Sequence, residues 1–121
     1  MRNKGGQLLG IDTDASLASV CRLVASRPTA DVILLTGDLA GEEAYEAYYR
    51  LEGIIDTLGV PSYWLPGNHD TPWAANPRIN EHFRRKIRLS HWDILMLNTQ
   101  VLGEVPGYLA VAELEALDEA V

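Results

Sequence analysis

The sequence predicts an α/β domain in which helices alternate with mostly parallel strands. Three observations carry this expectation. Helix-like and strand-like hydrophobic patterns alternate along the first half of the chain, each strand-like run closes on a glycine-containing turn, and the order is that of a βαβ unit. The length of 121 residues is that of one domain, and no internal repeat, low-complexity tract or linker divides it, so residues 1–121 are expected to form a single unit.

The elements follow in order. Leu17, Val20, Cys21 and Val24 recur at i, i+3, i+4 and i+7, which predicts an amphipathic helix over 15–27 capped by Thr13 or Asp14. Pro28 forbids its continuation. Residues 31–36, Asp-Val-Ile-Leu-Leu-Thr, are β-branched and aliphatic enough for a strand buried on both faces. A second helix over 42–58 carries Tyr48, Leu51, Ile55 and Leu58 on one side, with Gly59 placed as a left-handed C-cap. Residues 62–65 read as the next strand, ending at Pro66-Gly67. A surface loop is expected over 71–80, then a short helix through Phe83, two strands over 86–89 and 93–97, and a last helix with Leu114, Leu117 and Val121 on one face.

Composition narrows the possible functions. The chain is 47% hydrophobic and 22% charged, with no apolar run near the ~18–20 residues that span a bilayer. The N-terminal apolar stretch is too short for a secretory signal, which predicts a cytoplasmic protein. Ten basic and seventeen acidic side chains give −7, unsuited to nucleic acid or an anionic membrane. Arg84, Arg85, Lys86 and Arg88 form one local basic run, read as a solvated helix end or turn. The single cysteine, Cys21, reads as a small buried hydrophobe.

Ligands of open α/β sheets gather at the carboxyl ends of the strands. Two polar clusters fall there: Thr36-Gly37-Asp38 and, about thirty residues on, Pro66-Gly67-Asn68-His69-Asp70. If the two strands are neighbours, Asp38 and Asn68 share one rim. A carboxylate can bridge two cations, an amide oxygen is a hard neutral ligand, and an imidazole can bind metal or move a proton. Gly37-Asp38 alone reads more readily as a helix N-cap. Gly67-Asn68-His69-Asp70 in the same register makes the pairing specific.

These motifs resemble the second and third signature blocks of the calcineurin-like metallophosphoesterases. The stretches 6–13, 34–40, 63–70 and 97–101 further resemble, in order and spacing, bacterial class III 3′,5′-cyclic-nucleotide phosphodiesterases. The resemblance implies part of an αββα sandwich and a centre of two divalent or mixed-valence ions of manganese, iron or zinc. Asp38 matches the carboxylate that bridges both metals, and Asn68 a ligand of the second. His69 matches the catalytic histidine that contacts the phosphate and assists departure of the alkoxide. Asp70, also assigned to the catalytic group, completes the motif and orients its neighbours. The implied substrate is a small phosphodiester or cyclic nucleotide, with cyclic AMP converted to 5′-AMP.

The family's first block, Asp-x-His, is superficially mimicked by Asp12-Thr13-Asp14, but Asp14 is not histidine, and helix capping explains this stretch better. His82 and His91 stand in no matching context and read as surface or interface residues. A catalytic metal needs about three protein ligands and an open position. With two matched ligands, the chain is expected to resemble the middle of an enzyme truncated at both ends, to hold one ion or none, and to be inactive or impaired. Uncovered sheet surface would then drive homo-oligomerisation. The competing expectation is a catalytically dead α/β module that serves in oligomerisation or interaction.

Overall fold

The computed structural model describes residues 1–2, 4–28, 30–41, 45–71 and 76–121. The first three residues of the expected second helix, 42–44, and positions 72–75 of the expected loop lie outside them.

The chain opens on an antiparallel pair that the hydrophobic pattern did not predict, β1 (Gln7–Leu8) and β2 (Ile11–Asp12). Leu9 and Gly10 connect them with φ of 52° and 80°, the left-handed pair that a tight two-residue hairpin requires. Asp12 then caps α1 (Thr13–Ala25), its Oδ1 accepting from the Ala15 amide at 2.9 Å. The cap is thus neither Thr13 nor Asp14. Asp14 instead receives the Arg50 guanidinium at 2.7 Å, which ties α1 to the next helix. Cys21 is buried as expected, but Val20 and Val24 on the same stripe are exposed.

A βαβ unit follows: β3 (Ile33–Leu35), α2 (Tyr45–Asp56) and β4 (Ser62–Trp64). The two strands are parallel neighbours, with Ile33 opposite Ser62 and Leu35 opposite Trp64. Ala47, Tyr48, Leu51 and Ile55 of α2 turn inward onto Trp64 and Cys21 and make the core. Gly59, at φ 65°, closes the helix by donating to the Asp56 carbonyl. The expected double burial of β3 is not found. Leu34 is 37% exposed, because successive strand side chains point to opposite faces and only Ile33 and Leu35 turn onto the core; among the described residues β3 pairs only with β4.

α3 (Pro77–His82) begins inside the region expected to be loop. The cause is Asn76, whose buried Oδ1 accepts from Arg78 and Ile79, with Pro77 preset for the first helical position. His82 is neither a free surface group nor an interface group. Its ring stacks on Trp64 at 4.2 Å and its Nε2 lies 3.0 Å from Glu52, so it fastens α3 to β4 and α2. β5 (Lys86–Arg88) and β6 (Asp93–Leu95) form a second antiparallel pair. The basic run straddles the end of α3 and this pair: Arg84 donates to the Glu81 and Phe83 carbonyls, while Lys86 and Arg88 face Asp93.

In α4 (Val111–Ala120) the buried residue is Glu113, whereas Leu114 is exposed and Val121 lies beyond the helix in solvent. The helix is held by a charge where an apolar stripe was expected. The class is α/β, with parallel pairing confined to β3–β4 and the other two pairs antiparallel. No helix among the described residues is long and apolar enough to cross a membrane.

Leu9 carries the least favourable backbone in the hairpin. An L-residue with a Cβ is strained in the left-handed region, whereas Asn tolerates it. Leu9→Asn is therefore expected to raise stability by about 1 kcal/mol, measured as a higher urea midpoint at unchanged slope.

Candidate functional site

Each strand of the parallel pair ends on a glycine because the two chain segments nearly touch. Gly37 sits at φ 114°, and a Cβ built on it would lie 2.8 Å from the Gly67 Cα and N. A Cβ on Gly67 would in turn collide with the Asp38 carboxylate and amide. Asp38 follows at φ 53°, a left-handed conformation that Asp adopts more readily than most side chains. Its Oδ1 accepts the His69 amide at 3.1 Å, a bond across 31 residues of sequence. Asp38, Asn68 and His69 are all exposed on one rim above β3 and β4. The conditional placement made from the sequence, that the two clusters meet if the strands are neighbours, is the arrangement found.

Asp70 behaves differently from the other three. It is 6% exposed, and each of its oxygens carries two donors. Oδ2 accepts from the amides of Leu39 at 3.0 Å and Gly67 at 2.8 Å. Oδ1 accepts from the Ala40 amide at 2.9 Å and the Tyr48 hydroxyl at 2.7 Å. A carboxylate so occupied has no lone pair directed at a ligand; it holds the loop after β3, the turn after β4 and helix α2 in one place. Burial pushes the Tyr48 phenol well above its ordinary range, and the bond to Asp70 pushes it further.

The rim borders a cleft of about 250 Å³ whose opposite wall is formed by Thr99, Gln100 and Val101. A second cleft lies beyond Asp38, walled by Arg2, Thr13, Gly41 and His69, so the Asp38 carboxylate faces two spaces. The 97–101 stretch, which carried only the resemblance, contributes Gln100. Its Nε2 donates to the Gly67 carbonyl at 2.8 Å and the Asp70 carbonyl at 3.0 Å. Arg85 grips Glu113 through both terminal nitrogens, and Glu113 also accepts from the Asn98 amide. The guanidinium holds the Glu113 carboxyl below the usual carboxylate range. Nothing in the pattern around Gln100, Tyr48 or Glu113 marked these roles, since a loop amide, a core tyrosine and a helical glutamate are all ordinary.

The donors on the rim are one carboxylate, one amide oxygen and one imidazole, a mixed oxygen and nitrogen set compatible with manganese, iron or zinc. They do not complete a metal centre. Among the described residues no group of three or more His, Cys, Asp or Glu is arranged to hold an ion. Asp12 and Asp14 do not extend the set, being engaged as a helix cap and by Arg50.

The family model for calcineurin-like phosphoesterase matches residues 11–115. A 3′,5′-cyclic-nucleotide phosphodiesterase of Nostoc sp. is 35% identical over 98% of this chain and 46% of its own length. The 3′,5′-cyclic adenosine monophosphate phosphodiesterase CpdA of Pseudomonas aeruginosa is 32% identical over 97% of this chain and 44% of its own length. CpdA of Escherichia coli K12 is 36% identical over 92% and 42%. The chain thus spans less than half the length of these curated relatives.

The four-donor arrangement at Asp70 makes a graded prediction. Asp70→Asn turns one acceptor oxygen into an amide facing its former donors and is expected to cost about 3 kcal/mol or more. Tyr48→Phe removes a single donor and is expected to cost about 1–2 kcal/mol. Urea unfolding of both variants at neutral pH measures the order, and equal costs would contradict it.

Proposed function

The chain belongs to the calcineurin-like phosphoesterase family, and on that premise we propose that it carries one edge of a phosphodiesterase centre whose complete form hydrolyses 3′,5′-cyclic nucleotides. The observation that carries this reading is the Asp38–His69 bond, which joins the ends of two adjacent parallel strands and leaves Asp38, Asn68 and His69 exposed on one rim. Calcineurin-like phosphoesterases use divalent metal ions. Two such ions, divalent or mixed-valence and drawn from manganese, iron and zinc, would offset the charge that develops on the phosphoryl oxygens. Asp38 is the carboxylate suited to bridging them and Asn68 the neutral oxygen suited to one. His69 is placed to contact the phosphate and, as water adds to phosphorus and the bond to the 3′ ribose oxygen breaks, to give that oxygen its proton. Asp70 acts on substrate only through the loops it positions. The rim alone offers too few donors for the pair of ions, so these 121 residues by themselves hold one ion or none and are inactive or impaired. The cytoplasm, where cyclic nucleotides are small soluble substrates, is the compartment this reading implies.

A second reading rests on a separate observation. Leu8, Leu9, Ile11, Val20, Leu23 and Leu34 are all exposed, and among the described residues β3 pairs with β4 on one edge only. Such a surface favours self-association, which would make the chain a catalytically silent α/β module. Sedimentation is expected to show a homo-oligomer that binds apolar dye weakly; a monodisperse monomer with little dye-accessible surface would contradict it.

The catalytic reading is tested by metal analysis and by hydrolysis of bis(p-nitrophenyl) phosphate and cyclic AMP in added manganese. The expected result is substoichiometric metal and little or no turnover. Turnover abolished by Asp38→Ala or Asn68→Ala would show the isolated chain to be active; turnover that neither substitution changes would mark a contaminant.

A further inference from the structure

Resting on the phosphodiesterase reading, we propose that Gln100 is the positioning residue that aims Asn68 and His69 at the ligand. The turn over 67–70 holds both side chains between two carbonyls, those of Gly67 and Asp70. Gln100 Nε2 donates to both, at 2.8 and 3.0 Å. The Asp70 amide closes the turn on the Gly67 carbonyl at 3.2 Å, and a side-chain amide has two hydrogens at a fixed angle, so the pair of Gln100 bonds locks the separation of the two carbonyls from the cleft side.

Gln100 is itself anchored. Its backbone N–H donates to Asn98 Oδ1 at 2.9 Å, the Asn98 backbone N–H donates to Glu113 Oε2 at 2.9 Å, and Glu113 is clasped by Arg85. The turn is therefore gripped twice. From the core, the Asp70 carboxylate fixes where it sits; from the cleft side, Gln100 fixes its shape. The side chains of Asn68 and His69 take part in neither grip and face solvent. The residue type matters. Glutamate would direct a carboxylate oxygen at two carbonyl oxygens, and methionine would keep the length and supply no donor.

The test compares the full chain with Gln100→Glu and Gln100→Met by heteronuclear NMR without metal, followed by titration with Mn²⁺. The expected result is that the Asn68 side-chain amide and His69 ring signals shift or broaden in both variants while those of Trp64 and Ile55 in the core stay in place. Any Mn²⁺ binding seen in the wild-type chain is expected to weaken by about tenfold or more in both variants. Unchanged Asn68 and His69 signals in both variants would overturn the proposal, as would core signals that move equally, because the role would then be general packing. Gln100→Met decides the question if Gln100→Glu fails to fold. A wild-type chain that takes up no Mn²⁺ would agree with the reading that these residues hold one ion or none, and the metal-free NMR comparison would then decide Gln100 by itself.

Discussion

One buried carboxylate organises the site. Asp70 accepts two backbone amides from the loop after β3, one from its own turn and a hydroxyl from α2. A buried charge is destabilising unless it is fully hydrogen-bonded, and here every lone pair of the carboxylate has a donor. The same requirement makes the arrangement specific, because no shift of either loop preserves all four bonds. With both loops fixed, Gly37 and Gly67 can stand in backbone contact, and Asp38 can accept from His69. The reactive-looking side chains at the rim are thus free to face solvent because a neighbour that faces inward bears the structural role.

What could be read from the sequence follows from the range of the interactions involved. β3, α2 and β4 were readable because hydrophobic period, strand-ending glycines and the Gly59 cap are local signals. Asp38, Asn68 and His69 were readable for the same reason once the strands were taken as neighbours. Features decided by distant partners were not. The cap of α1 moved to Asp12 as Asp14 found Arg50, and α3 began early because Asn76 satisfies two helix amides from a buried position. His82 was placed at the surface because a sequence does not reveal Trp64 lying beneath its ring. The docking of α4 by Glu113 inverts the usual apolar rule, and only Arg85 and the Asn98 amide explain it.

Two properties of the chain coexist without contradiction. Its rim carries one carboxylate, one amide and one imidazole, and its surface shows exposed leucines and a strand, β3, that among the described residues pairs on one edge only. The first concerns chemistry at the carboxyl ends of β3 and β4; the second concerns the flank of the same sheet.

Amide hydrogen exchange tests the central role of Asp70 most directly. Leu39, Ala40 and Gly67 donate to one carboxylate from two separate loops, so the account predicts that their amides are protected, open in a single cooperative event, and lose protection together in Asp70→Asn. Independent exchange of the two loops in the wild-type chain, or protection that survives the substitution, would contradict it.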